Sequence, residues 1–195
     1  MKFRMLATTV LLAAPALAWA HIGADASFHH ESSAFLAGFL HPFSGMDHLL
    51  AMIVVGLWSA LASRRIWIAP LVFAGVLVIG ALAGLTGFVL TVIEPMIAAS
   101  LLALGLLLAT RTQLPTGIAV GLIGGFALFH GLAHGTEIPA AQAITTLTGM
   151  VLATLSLHIS GLLAGHFILA RSVWLPRIIG AGVATIGTGL LSGLI

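Results

Sequence analysis

The feature that most limits this chain is a succession of apolar runs, each about 20 residues long, joined by short polar segments. In lipid the backbone must satisfy its own hydrogen bonds, so only helices and closed barrels can span. The runs do not alternate in polarity, which excludes the barrel. Of 195 residues, 60% are hydrophobic and 6% charged, with a mean hydropathy of +1.20. Soluble domains carry roughly 25% charged residues. The expected fold class is therefore all-α, a polytopic membrane helical bundle.

Lys2 and Arg4 lead into an apolar stretch from Met5 to Leu17 that closes on Ala18-Trp19-Ala20. This is the layout of a secretory signal with a small-x-small cleavage site. The stretch is short for a span, which needs about 20 apolar residues. Residues 1–20 thus read as a signal peptide whose cleavage leaves His21 at the amino terminus. Residues 21–33 read as an exported His-rich tail and residues 34–195 as a six-helix transmembrane domain. The spans fall near 34–62, 67–91, 96–110, 116–136, 141–169 and 173–194. The first is interrupted by Pro42-Phe43-Ser44-Gly45, so a short piece from Ala34 to Leu40 is expected before the span proper begins at Met46.

Arginine placement gives the orientation, because short cytoplasmic loops collect Lys and Arg. Arg64 and Arg65 follow the first span, Arg111 follows the third, and Arg171 and Arg177 flank the join of the last two. The alternate joins carry Glu94 and Glu137 instead. Both chain ends are then outside, on the periplasmic face if the membrane is a bacterial inner one. The lipid bilayer is an implied partner, whereas nucleic acid is not: the formal charge is +2 and the longest basic run after the leader is Arg64-Arg65. The absence of cysteine excludes disulfides, thiolate metal sites and thiol catalysis. No G-x-x-x-x-G-K-[ST] occurs, so this chain carries no phosphate-binding loop for ATP. Paired glycines at Gly80/Gly84, Gly121/Gly125, Gly131/Gly135, Gly161/Gly165 and Gly189/Gly193 suit close helix packing.

Against so few charges, nine histidines require explanation. An ionisable group at membrane depth costs roughly 2.5–3.5 kcal/mol on insertion scales, and such groups usually serve function. One cluster, His41-Pro-Phe-Ser-Gly-Met-Asp47-His48, enters the first span from outside. The other, Phe129-His130-Gly-Leu-Ala-His134-Gly-Thr-Glu137, leaves the fourth span on the same side. In one unbroken helix His41 and His48 would stand about 10.5 Å apart along the axis. That is too far for one small ion, whose nitrogen ligands sit about 2.0–2.1 Å from it. The Pro-Phe-Ser-Gly break could fold the chain back and close that distance. His130 and His134 lie about 6 Å apart on one face, the spacing of the paired histidines in an HExxH metal helix, and Glu137 continues that face. Asp47 is either a ligand or an orienting partner for the second ring nitrogen of His48.

Weaker candidates lie elsewhere. His158 and His166 share nearly one face of the fifth span and could line an inward path or merely pack. In the tail, His29 and His30, together with the free amine and ring of His21, could capture a divalent ion. A solvated tail fits that composition equally well.

The two clusters carry a resemblance. His41-Pro42-x-x-Gly45-x-Asp47-His48-x-Leu50, together with Phe129-His130-Gly131-x-Ala133-His134-Gly135-x-Glu137, resembles the two signatures of the HupE/UreJ family of nickel/cobalt permeases. The likeness covers essentially the whole chain, from the leading signal through six spans. It implies secondary uptake of Ni²⁺, or Co²⁺, across a bacterial inner membrane to supply hydrogenase or urease maturation. The metal is cargo, and no catalytic cofactor is implied. The motif positions expected to handle metal are His41, Asp47, His48, His130, His134 and Glu137. Imidazole and carboxylate donors without thiolate suit borderline divalent ions, among which affinity order alone does not choose.

Two rivals belong to other classes. An intramembrane hydrolase could hold zinc on His130, His134 and Asp47 and activate water at an open position, with a weaker serine variant on Ser160-Gly161 and His158. A metal-binding membrane protein without transport is the other.

Overall fold

The computed structural model describes residues 31–88, 90–167 and 171–195. The expected signal peptide and the tail histidines His21, His29 and His30 lie outside the described residues. Within them the chain is helical throughout, with no strand. The helices are α1 (Glu31–Ser44), α2 (Met46–Ala62), α3 (Ile68–Leu85), α4 (Ile93–Thr110), α5 (Thr116–Glu137), α6 (Ala143–Phe167) and α7 (Trp174–Leu191), and a 3₁₀ turn at Ala140–Gln142 leads into α6. Five of them, α3 to α7, are individually long and apolar enough to cross a membrane. Helices α1 and α2 meet the same test together, as a pair bent by 82°. Counting that pair as one broken span makes six, in a multi-pass membrane protein.

The break differs in place from the sequence expectation. Helix α1 continues through Pro42 as far as Ser44, and the interruption is the single residue Gly45. Pro42 stands in the last turn of α1, where little helix remains for a missing N–H to disrupt. Gly45 adopts extended backbone (φ −100°, ψ 123°). A methyl group there would crowd Asp47 Oδ1 at 2.8 Å and His48 Nδ1 at 3.1 Å, so the corner is kept bare for the side chains that follow it.

Lipid tails are as apolar as leucine, so tight packing rather than water exclusion must join these helices. Helix α3 runs along α5, α4 along α7, and both α1 and α2 along α6. At each of these seams the backbones come close at a glycine, Gly38 and Gly149 between α1 and α6 and Gly105 and Gly180 between α4 and α7 among them. A Cβ on Gly131 would collide with the Leu77 carbonyl, and one on Gly161 with the Ile53 carbonyl. Other paired glycines do no such work: Gly121 and Gly125 face no neighbour, and Gly193 lies beyond α7 with φ +68°. Between the seams, Met52, Trp58, Phe73, Leu77, Leu101, Leu104, Leu108 and Ile123 are wholly buried.

Alternating helix directions give the bundle two unlike ends. The α2–α3 and α4–α5 joins meet at one end, where Arg64, Arg65, Gln113 and Thr116 help to line a cavity of about 350 Å³. Nearby the Trp58 indole N–H donates to the Thr112 carbonyl at 2.9 Å. At the other end Asp47, Glu94 and Leu191 border a cavity of about 200 Å³. The arginines and the carboxylates therefore occupy opposite ends, as the sequence requires.

Candidate metal centre

Three helices deliver the polar side chains to the carboxylate end. His41 comes from the last turn of α1, Asp47 and His48 from the first turn of α2, and His130, His134 and Glu137 from the final two turns of α5. The 82° corner brings the His41 and His48 rings to 6.4 Å between centroids, closer than a straight helix permits. Packing α5 against α3 and α4 then sets His134 beside both, at 4.6 Å from His41 and 4.5 Å from His48, with His130 5.1 Å from His48.

Five of the six residues form two overlapping groups, and Asp47 stands behind His48. At the mouth, donor atoms of His41, His134 and Glu137 all lie within 4.8 Å of one another. His41 Nε2 is 2.9 Å from His134 Nδ1 and 3.7 Å from Glu137 Oε2. Below it the rings of His48, His130 and His134 close together, and His134 belongs to both groups. His130 and His134 are 0% and 1% exposed.

Second-ring hydrogen bonds fix which nitrogen of each deeper ring is bare. The His48 Nδ1–H donates to Asp47 Oδ1 at 2.9 Å, and the His48 backbone N–H donates to the same oxygen at 2.9 Å. His130 Nδ1 lies 2.9 Å from the Phe126 carbonyl, which can only accept, so that nitrogen carries the proton. The Nε2 atoms of His48, His130 and His134 are all buried without a hydrogen-bond partner. Each buried, unpartnered ring nitrogen costs about 1–3 kcal/mol. An imidazole anchored through Nδ1 to a carboxylate or backbone carbonyl, with Nε2 open, is the arrangement of a metal ligand. Asp47 Oδ1 thus accepts from both nitrogens of His48 that face it, the geometry an orienting role requires.

Glu137 adds an electrostatic argument. It is the last residue of α5, where the helix dipole presents partial negative charge and a carboxylate is disfavoured by about 0.3–1 kcal/mol. A cation held between Glu137, His41 and His134 would reverse that sign.

The remaining candidates separate. His158 is fully buried on α6, with its Nδ1 2.7 Å from the Met52 carbonyl. His166 is exposed at the other end of α6, its ring against Phe167, and takes no part in the cluster. Ser160 donates its hydroxyl to the Ser156 carbonyl while His158 bonds Met52, so the serine–histidine pairing of a hydrolase is not made. Two contributors escaped sequence reasoning. The Phe126 carbonyl stands one turn before His130, a partner that helical spacing could have suggested. Phe73, whose ring lies against both His130 and His158, is one apolar residue within an apolar helix and gives no signal in sequence.

Comparison with known proteins supplies kinship. The family model described as HupE / UreJ protein matches residues 8–190. The chain belongs to the HupE/UreJ family. Protein HupE of Rhizobium leguminosarum bv. viciae is 40% identical over 198 residues, covering 99% of this chain and 100% of the relative. No solved structure matches. The expected kinship of the two histidine motifs therefore holds, and the motifs of this HupE/UreJ protein are the segments that the fold gathers at one end of the bundle.

Proposed function

We propose that this HupE/UreJ protein is a secondary permease that takes up Ni²⁺, or Co²⁺, across a bacterial inner membrane for hydrogenase or urease supply. In this reading both chain ends are periplasmic. The observation that carries it is the group of His41, His134 and Glu137, whose donor atoms lie within 4.8 Å of one another, with the buried, unpartnered Nε2 atoms of His48, His130 and His134 in the rings beneath it. Neutral imidazole and carboxylate are donors for borderline divalent cations. The site lies at the end opposite the arginines, which positive-inside orientation makes the outer one. An ion captured at His41 and Glu137 is handed to the deeper rings through His134, the residue common to both groups. Asp47 holds His48 with Nε2 open, and the Phe126 carbonyl does the same for His130.

The test is initial ⁶³Ni²⁺ flux into sealed proteoliposomes containing the full chain. Saturable flux that Co²⁺ competes for supports the permease. Metal binding without flux would leave a metal-binding membrane protein, and metal-dependent cleavage of a lipid or peptide by the purified protein would favour an intramembrane zinc hydrolase on His130, His134 and Asp47.

A further inference from the structure

One buried titratable side chain stands outside the centre described above. His158 on α6 is fully buried, and its Nδ1–H donates to the Met52 carbonyl of α2 at 2.7 Å. The ring's other nitrogen, Nε2, is a bare acceptor with no hydrogen-bond partner. Burying such an atom lowers stability in a way that an apolar side chain would not. The same arrangement holds His130, whose Nδ1–H bonds the Phe126 carbonyl and whose Nε2 is also bare. Anchoring through one nitrogen with the other left open is how metal-binding histidines are held.

A single side chain connects the two histidines. The Phe73 ring, wholly buried on α3, lies 5.3 Å from the His130 ring and 5.2 Å from the His158 ring, centroid to centroid. Met52, which supplies the carbonyl for His158, is one helical turn along α2 from His48, an axial step of about 6 Å. His158 itself lies about 22 Å along α6 from its first residue, Ala143. The outer cluster, Phe73 and His158 thus form a descending series toward the arginine end.

We infer that His158 is a second, inner station for a borderline divalent cation, reached from His130 across the Phe73 ring. The inference rests on the permease reading and adds to it the next stop on the path. The phenyl face attracts a cation through its quadrupole, so Phe73 separates the stations without repelling the traffic. His158 Nε2 then receives the ion.

The experiment uses the full chain in nanodiscs for equilibrium ⁶³Ni²⁺ binding and in proteoliposomes for flux. His158→Asn keeps an amide N–H near the position of Nδ1 for the Met52 carbonyl and removes Nε2. Outer-site binding is expected to be unchanged while initial uptake is lost. Uptake at the wild-type rate would overturn the inner station. Joint loss of binding and uptake would overturn it too, making His158 a support of the outer site. His158→Cys gives a direct readout, since the chain has no other cysteine. Cd²⁺ added from outside should produce a sulfur-to-cadmium charge-transfer band, and its absence would also overturn the proposal. Wild-type protein that neither binds nor transports Ni²⁺ would reject the permease reading instead, a result distinct from these.

Discussion

His41 and His134 are separated by 93 residues of sequence, yet His41 Nε2 and His134 Nδ1 lie 2.9 Å apart. The contact ties the corner between α1 and α2 to the C-terminal end of α5. One of the two nitrogens must donate to the other, and an arriving divalent cation would replace that hydrogen bond with two coordinate bonds. In the proposed permease the pair would link capture at the mouth to the deeper rings.

His48→Ala and His134→Ala are each expected to abolish high-affinity uptake, because each removes a nitrogen from a small donor set. Asp47→Asn should act indirectly and weaken metal affinity about 10–100-fold, the range found when an orienting partner is lost. His166→Ala should transport nearly as wild type. The measurement is ⁶³Ni²⁺ uptake at matched expression, and wild-type transport by the His48 or His134 variant would sink the two-motif centre.

Uptake should fall as the external side is made more acid, since imidazole must be neutral to bind metal. Protons and cation compete for the same nitrogens. Higher Ni²⁺ should therefore move the apparent midpoint to lower pH, whereas acid damage to the fold would leave it fixed. Proteoliposomes with the membrane potential clamped distinguish the two, and a midpoint indifferent to Ni²⁺ would count against histidine ligation.

Gly131→Leu is expected to destabilise the bundle by at least about 1–3 kcal/mol, because its side chain meets the Leu77 carbonyl on α3 instead of a space that can adjust. Gly125→Leu, on the same helix but facing no neighbour, should be tolerated. Thermal unfolding in detergent compares them, and equal midpoints would show that the α3–α5 seam is looser than its backbone contact implies.

Single cysteines report orientation in a chain that has none. Val92→Cys, beside Glu94, should be labelled by an impermeant thiol reagent in intact spheroplasts, while Gln113→Cys, beside Arg111, should be labelled only after lysis. Both positions are exposed. The reverse pattern would invert the topology and place the histidine centre on the cytoplasmic side.

Much of this architecture was legible in sequence because hydropathy and charge act locally. Apolar runs located the helices to within a few residues, and Arg64, Arg65, Arg111 and Arg171 separated the two ends. The i, i+4 spacing of His130 and His134 put them on one face before any packing was known. The break in the first span was legible only approximately. Proline and glycine both disturb a helix, and their order along the chain does not say which one turns it. Here Pro42 falls where the helix is already ending, and Gly45 is the corner.

By itself the sequence determined a helical membrane chain with its two histidine motifs and their carboxylates concentrated at one end of the bundle, since the low dielectric of lipid imposes those choices segment by segment. Only the tertiary structure decided which nitrogens stand open. That depends on Asp47 reaching back to His48, on the Phe126 and Met52 carbonyls accepting from His130 and His158, and on an 82° turn at Gly45 that carries His41 toward α5. Hydrogen bonds of this kind are directional and act over about 3 Å. They are therefore set by how helices meet in space, which no local pattern along the chain records.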